Sequence, residues 1–277
     1  ALVADSLTDA NTITISALGS SASAVVNDTS TTPEVTTAAL TIGADNVNFA
    51  GNASASSVDG SVSNSWNSYD TIVGGDGTDT LTAAVTNVTV RPNMTGVENL
   101  VLDDDGGATL NMVDVTGLTS ITSQGSGNAA DIQNLQSVGS ASFQNTTAGL
   151  SLGYTAAATS GGSDDLAINV QGVTLAGNIV LTAATNTIEA VSIASTVSAN
   201  TIADLQSTGA GTTTLNISGD QDLTITTNLD TEITSVSAAN FSGALSITGT
   251  NATGTTITSG SGDDIITSLG GDDTITS

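Results

Sequence analysis

The residues best suited to chemistry lie in two short blocks of glycine and aspartate. In the first, Gly74-Gly75-Asp76-Gly77-Thr78-Asp79-Thr80-Leu81-Thr82 fits the nonapeptide G-G-x-G-x-D-x-U-x at every fixed position. Nine residues upstream, Asp70-Thr71-Ile72 repeats its second half, with Asp70 matching Asp79 and Ile72 matching Leu81. The second block reads Ser259-Gly260-Ser261-Gly262-Asp263-Asp264-Ile265-Ile266-Thr267, then Ser268-Leu269-Gly270-Gly271-Asp272-Asp273-Thr274-Ile275-Thr276. Asp264 and Asp273 are nine apart, as are Ile266 and Ile275. Serine replaces the first glycine in both copies, and Leu269 replaces the second in the later one.

This pattern suits a hard divalent cation. Glycines permit tight turns of positive φ and leave backbone carbonyls bare. The aspartate adds a carboxylate to the same oxygen cage. The apolar residue that follows enters the core. The residues expected to hold an ion are Asp70, Gly74, Gly75, Asp76, Gly77, Asp79, Gly260, Gly262, Asp263, Asp264, Gly270, Gly271, Asp272 and Asp273. Each block holds only about two repeats, so neighbouring turns must complete a site. The competing reading is a pair of hydrated Asp-Gly turns. Asp103-Asp104-Asp105, Asp164-Asp165, Asp220 with Asp222, Asp45 and Asp59 are weaker candidates, because most turn acids are simply solvated.

Composition narrows the classes around these motifs. The 277 residues carry 27 acids, one base (Arg91), no His and no Cys, for a net charge of −26. Such a polyanion cannot track a phosphate backbone, so nucleic acid is excluded as a partner. Imidazole and thiolate chemistry and most zinc or copper sites are excluded as well. No apolar run reaches the ~18 residues of a membrane span. No basic stretch leads into an apolar core, so no cleavable leader is expected. The sequence opens without Met and stops inside a repeat, which reads as a fragment or processed chain. Paired carboxylates raise the thought of a glycosidase. That chemistry wants supporting basic or aromatic groups, and Arg91, Trp66, Tyr69 and Tyr154 are scattered, so no enzyme is expected.

The elements that must position the motifs are short strands. Ile13-Thr14-Ile15, Leu166 to Val170, Leu215 to Ile217, Leu223 to Ile225 and Leu245 to Ile247 are bounded by Gly, Asn, Asp and Ser. A weak repeat sets an apolar residue, two spacers and an apolar strand: Val97-Glu98-Asn99-Leu100, Leu118-Thr119-Ser120-Ile121, Leu135-Gln136-Ser137-Val138, Ile188-Glu189-Ala190-Val191 and Ile233-Thr234-Ser235-Val236. Spacings near 20 residues point to a solenoid. In one, small and aliphatic side chains stack from coil to coil and build a core with few aromatics. A β-sandwich of irregular strands is the alternative, but strands this short would leave its core thin. The expected fold is an all-β β-solenoid with calcium-binding nonapeptide turns. Its expected parts are an irregular segment at 1–35, a lead-in with the first motif at 36–82, a degenerate body at 83–258 and the second block at 259–277.

The stretch from Thr41-Ile42-Gly43-Ala44-Asp45-Asn46-Val47 to Leu81 resembles part of the RTX-containing bacterial surface-layer proteins of the Caulobacter-like type. The rungs at Val97-Glu98-Asn99-Leu100 and Ile188-Glu189-Ala190-Val191, and Phe241-Ser242-Gly243-Ala244-Leu245-Ser246-Ile247, look similar too. The resemblance spans roughly 36–277, and only the nonapeptides in it are specific. It implies a calcium-stabilised solenoid, type I secretion, and assembly with copies of itself into an extracellular lattice on the cell surface. It also implies contact with lipopolysaccharide through a region outside this sequence. A calcium-rigidified stalk of a secreted RTX adhesin is the alternative function. An adhesin stalk should show near-identical tandem modules, and these rungs are degenerate.

Overall fold

A computed structural model describes residues 36–277. The expected strand at Ile13-Thr14-Ile15 and the irregular segment lie outside the described residues. Within this span the chain is all-β, and the only helical element among the described residues is a 3-10 turn at Thr208–Ala210. No helix among the described residues is long and apolar enough to cross a membrane.

One sheet of twelve strands runs through the described residues, from Thr37–Ala39 to Thr274–Thr276. Its pairings are parallel, and strands that neighbour each other in it are not consecutive in sequence. Between two visits to this sheet the chain passes through one or two of three shorter sheets. The strands Thr80–Val85, Thr89–Val90 and Asn93–Thr95, for example, lie on three different sheets. The result is a β-solenoid of about eleven turns. Coil length varies: Ser140 pairs with Ala167, twenty-seven residues on, whereas Thr256 pairs with Thr274, eighteen residues on. The last coil is therefore two nonapeptides long. The long sheet crosses both 82/83 and 258/259 without a break.

Alternation along each strand explains this form. Strands such as Thr80–Val85 and Ala190–Thr196 bury every second residue, so one face of each strand enters the core. Register then stacks those residues. Val58, Leu81, Leu100, Ile121, Ala141, Ile168, Ile193 and Ile217 form one continuous buried column. Burying each Leu or Ile contributes about 1.5–3 kcal/mol. A parallel column runs Ala83, Leu102, Ser123, Phe143, Val170, Ser195. Its sizes are complementary: Ser123 lies next to Phe143, the largest side chain in the column, and leaves room for its ring.

The expected rungs are largely found. Val97, Leu118, Ile188 and Ile233 are buried, as are their partners Leu100, Ile121, Val191 and Val236. The rung at Leu135-Gln136-Ser137-Val138 is displaced. The strand there is Ser140–Gln144, and Ala141 rather than Val138 takes the place opposite Ile121. The cause is local. The preceding strand Ala130–Leu135 carries a register shift between Ile132 and Leu135, with Asn134 at φ 58°, and this delays the corner.

Candidate metal centre

Four aspartates of the two blocks sit at one kind of place, the corner immediately before a strand. Asp70 precedes Thr71–Val73, Asp79 precedes Thr80–Val85, Asp264 precedes Ile265–Ser268 and Asp273 precedes Thr274–Thr276. Within a block the two acids lie on different sheets, so they do not converge on each other. Each instead reaches back one coil. Asp70 Oδ1 accepts the Asp45 N–H at 2.9 Å, Asp79 Oδ1 accepts the Ser56 N–H at 2.6 Å, Asp264 Oδ1 accepts the Leu245 N–H at 2.9 Å, and Asp273 Oδ1 accepts the Thr255 N–H at 2.7 Å. A carboxylate at this corner clamps the backbone of the coil before it, a charge-assisted hydrogen bond at each step.

The two blocks differ in what remains. Asp70 and Asp79 are buried, and their second oxygens accept further N–H groups, from Asn67 at 2.8 Å and from Gly75. Burial pushes the Asp70 carboxyl above the ordinary aspartate range, opposed by the N–H bonds from Asn67 and Asp45. At Asp264 and Asp273 only Oδ1 is engaged in these clamps. Asp76, Asp263 and Asp272 are exposed.

The glycines act mainly through close approach. A Cβ on Gly74 would lie 1.6 Å from the Gly96 carbonyl oxygen, one on Gly75 2.5 Å from that of Asn52, and one on Gly77 2.5 Å from that of Ser54. In the second block a Cβ on Gly260 would meet the Phe241 oxygen at 1.8 Å, and one on Gly262 the Gly243 oxygen at 2.2 Å. Positive φ was the expected reason for these glycines, and it applies only to Gly270 and Gly271, at 81° and 76°. At the other five, a bare Cα lets carbonyls of adjacent coils come together.

Two corner acids escaped sequence reasoning as functional residues. Glu98 Oε2 accepts the Asp79 N–H at 2.8 Å, and Glu189 Oε2 accepts the Asp164 N–H at 2.7 Å. The Thr187 hydroxyl and this N–H hold the Glu189 carboxyl below its usual range. The signal was present: both acids stand directly before a strand, as Asp79 does.

Among the weaker candidates, Asp104 is a structural turn. It is fully buried and accepts the N–H groups of Gly106, Gly107 and Ala108 at 2.8–2.9 Å. Asp45 accepts from Thr41 at 2.7 Å, Asp59 from Ser61 at 2.9 Å, Asp165 from Ser192 at 2.8 Å, and Asp222 from Ala244 at 2.8 Å. Asp220 is exposed. Asp103 Oδ1 and Asp164 Oδ2 are buried with no hydrogen-bond partner. Burial, then the charges of Asp105 and Asp104, push the Asp103 carboxyl up.

No three acidic side chains converge among the described residues. An ion at these corners would draw chiefly on backbone carbonyls with one or two carboxylates, an oxygen-only set suited to calcium. The second block fits this best. The hydroxyls of Thr255 and Ser268, beside it, are buried without partners, and both lie about 3.5 Å from where a Gly249 Cβ would sit. At the first block an ion would have to share oxygens already bonded to N–H groups. Comparison with known proteins yields no matching family model, no matching curated protein and no matching solved structure.

Proposed function

We propose that this protein is a structural surface-layer subunit that binds calcium and self-assembles into an extracellular lattice on a bacterial cell. The observation that carries the reading is the pair of in-phase nonapeptide blocks. Their acids fall at coil-to-coil corners, and in the second block carboxylate and hydroxyl oxygens remain unengaged. Charge supports it. Against a net −26, one ion pair is formed among the described residues, Arg91 with Asp114 at 2.7 Å. Self-repulsion of that size opposes compaction and association alike.

Calcium would supply concentrated positive charge and accept six to eight oxygens in adaptable geometry. Asp264, with the carbonyls that Gly260 and Gly262 bring together, and Asp273, at its own corner, would each hold an ion within a subunit. Exposed Asp263 and Asp272 would share ions between subunits. Secretion by a type I route and a place on the cell surface belong to the same reading, and both come from the resemblance.

Electron microscopy of the purified protein during a calcium titration tests it. Ordered sheets or filaments should form with calcium and dissolve on chelation. A monomer indifferent to calcium would sink the proposal.

A further inference from the structure

Of the six aromatic residues, Phe49, Trp66, Phe143, Tyr154 and Phe241 are buried. Tyr69 is 81% exposed. Arg91, the one cation in the sequence, has a side chain 61% exposed. These two are neighbours. Thr71 pairs with Asn93, so the corners that carry Tyr69 and Arg91 lead into paired strands on adjacent coils. The Arg91 N–H donates to the Ser68 hydroxyl at 2.8 Å, tying the two corners together. One coil earlier, the Gly43 carbonyl accepts the Asn67 side-chain amide at 2.9 Å, which brings the loop of Ile42, 80% exposed, alongside. Ile42, Tyr69 and Arg91 thus form a ridge across three consecutive coils.

The fold does not require this ridge. The Arg91–Asp114 pair is exposed on both sides, and such pairs contribute about 0–1 kcal/mol. An exposed ring and an exposed Ile bury little against the core. Tyr and Arg beside an aliphatic residue are the side chains that dominate binding energy at protein interfaces.

We infer that the Ile42–Tyr69–Arg91 ridge is a lateral contact that receives an acidic corner of a second copy of this chain. Charge complementarity names the occupant. Arg91 is the one basic side chain in this sequence, so among the described residues this is the place that offers a cation to an acid of another copy. Among the described residues Arg91 engages only its Nε–H in an ion pair. The rest of its planar fork is suited to a carboxylate. The inference rests on the assembly reading and adds to it a contact that needs no metal.

The test uses Arg91→Gln and Tyr69→Ser in the full chain, with sedimentation to find the critical concentration for assembly at saturating calcium. Both variants should keep the wild-type melting temperature and calcium isotherm, while the critical concentration rises about tenfold. Added NaCl screens the net repulsion as well as the Arg91 contact, so it should favour assembly less in the wild type than in Arg91→Gln. Arg91→Lys, which keeps the charge and loses the fork, should fall between. Wild-type critical concentrations in both glutamine and serine variants would overturn the inference and leave the lattice reading standing. Failure of the wild type to assemble at any calcium concentration removes both. Normal assembly of the variants, with a polyanionic glycan binding only the wild type, would give the ridge a different partner and overturn the inference as well.

Discussion

Asp79 and Asp264 hold equivalent places in their nonapeptides, yet their carboxylates are used differently. Both oxygens of Asp79 accept backbone N–H groups, from Ser56 and Gly75. An Asn there would turn an NH2 toward an N–H and leave a buried donor unpaired. Asp79→Asn should therefore lose roughly 1–3 kcal/mol of stability even under chelation. Asp264 clamps Leu245 through one oxygen, which an amide can reproduce. Asp264→Asn should change metal-free stability by less than about 0.5 kcal/mol and lose most of the calcium-linked rise in melting temperature. Thermal melts with calcium and with chelator check both. Equal losses under chelation would contradict the distinction.

At the scale of elements, the coils are held in register by close backbone contacts as much as by the aliphatic columns. Gly74 against Gly96 is one such contact. Gly162 is its opposite, with nothing within 4 Å of the place a Cβ would take. Gly74→Ala should cost about 3 kcal/mol, because the obstacle is a backbone carbonyl that cannot step aside. Gly162→Ala should be neutral or gain about 0.5 kcal/mol by restricting the unfolded chain. Urea denaturation of the pair decides: coincident midpoints would refute the close approach. The same elements show how far sequence reasoning reaches. The strands at 166–170, 215–217, 223–225 and 245–247 are legible because alternation is a local property. The rung at Val138 is misplaced because a register shift in the preceding strand leaves no compositional trace.

For the whole molecule, pH and calcium should act with opposite signs. Asp70 and Asp103 have carboxyls raised above 3.8, chiefly by burial. In the interval between that value and the raised ones, the folded chain holds more protons than the unfolded chain, so stability falls as pH rises through it. Self-repulsion of the net charge adds in the same direction. Glu189 and Asp59 are lowered by hydrogen bonds from Thr187 and Asp164 and from Ser61. Their stabilisation is present above their ordinary range and is lost as acid drives the pH down through their lowered values. Under chelation the melting temperature should therefore climb as pH falls through the raised range of Asp70 and Asp103, and turn down only in stronger acid. With saturating calcium it should fall over the same interval, because protons compete with the ion for oxygens. Calorimetry in the two conditions measures it, and parallel slopes would exclude calcium as the counter-ion.

The sequence alone determined the nine-residue phase of both blocks, the short alternating strands and the large negative charge, since each is a matter of spacing or composition along the chain. It also singled out the acids of the two blocks. Tertiary structure decided what each of them faces. Coils of eighteen to twenty-seven residues bring distant residues side by side only once register is set. That is why Ser56 lies under Asp79, Gly96 against Gly74, and Arg91 beside Tyr69. Local pattern fixes which residues turn and which enter the core. The stacking of unequal coils fixes which oxygens are left without an N–H donor and which side chains are left at the surface.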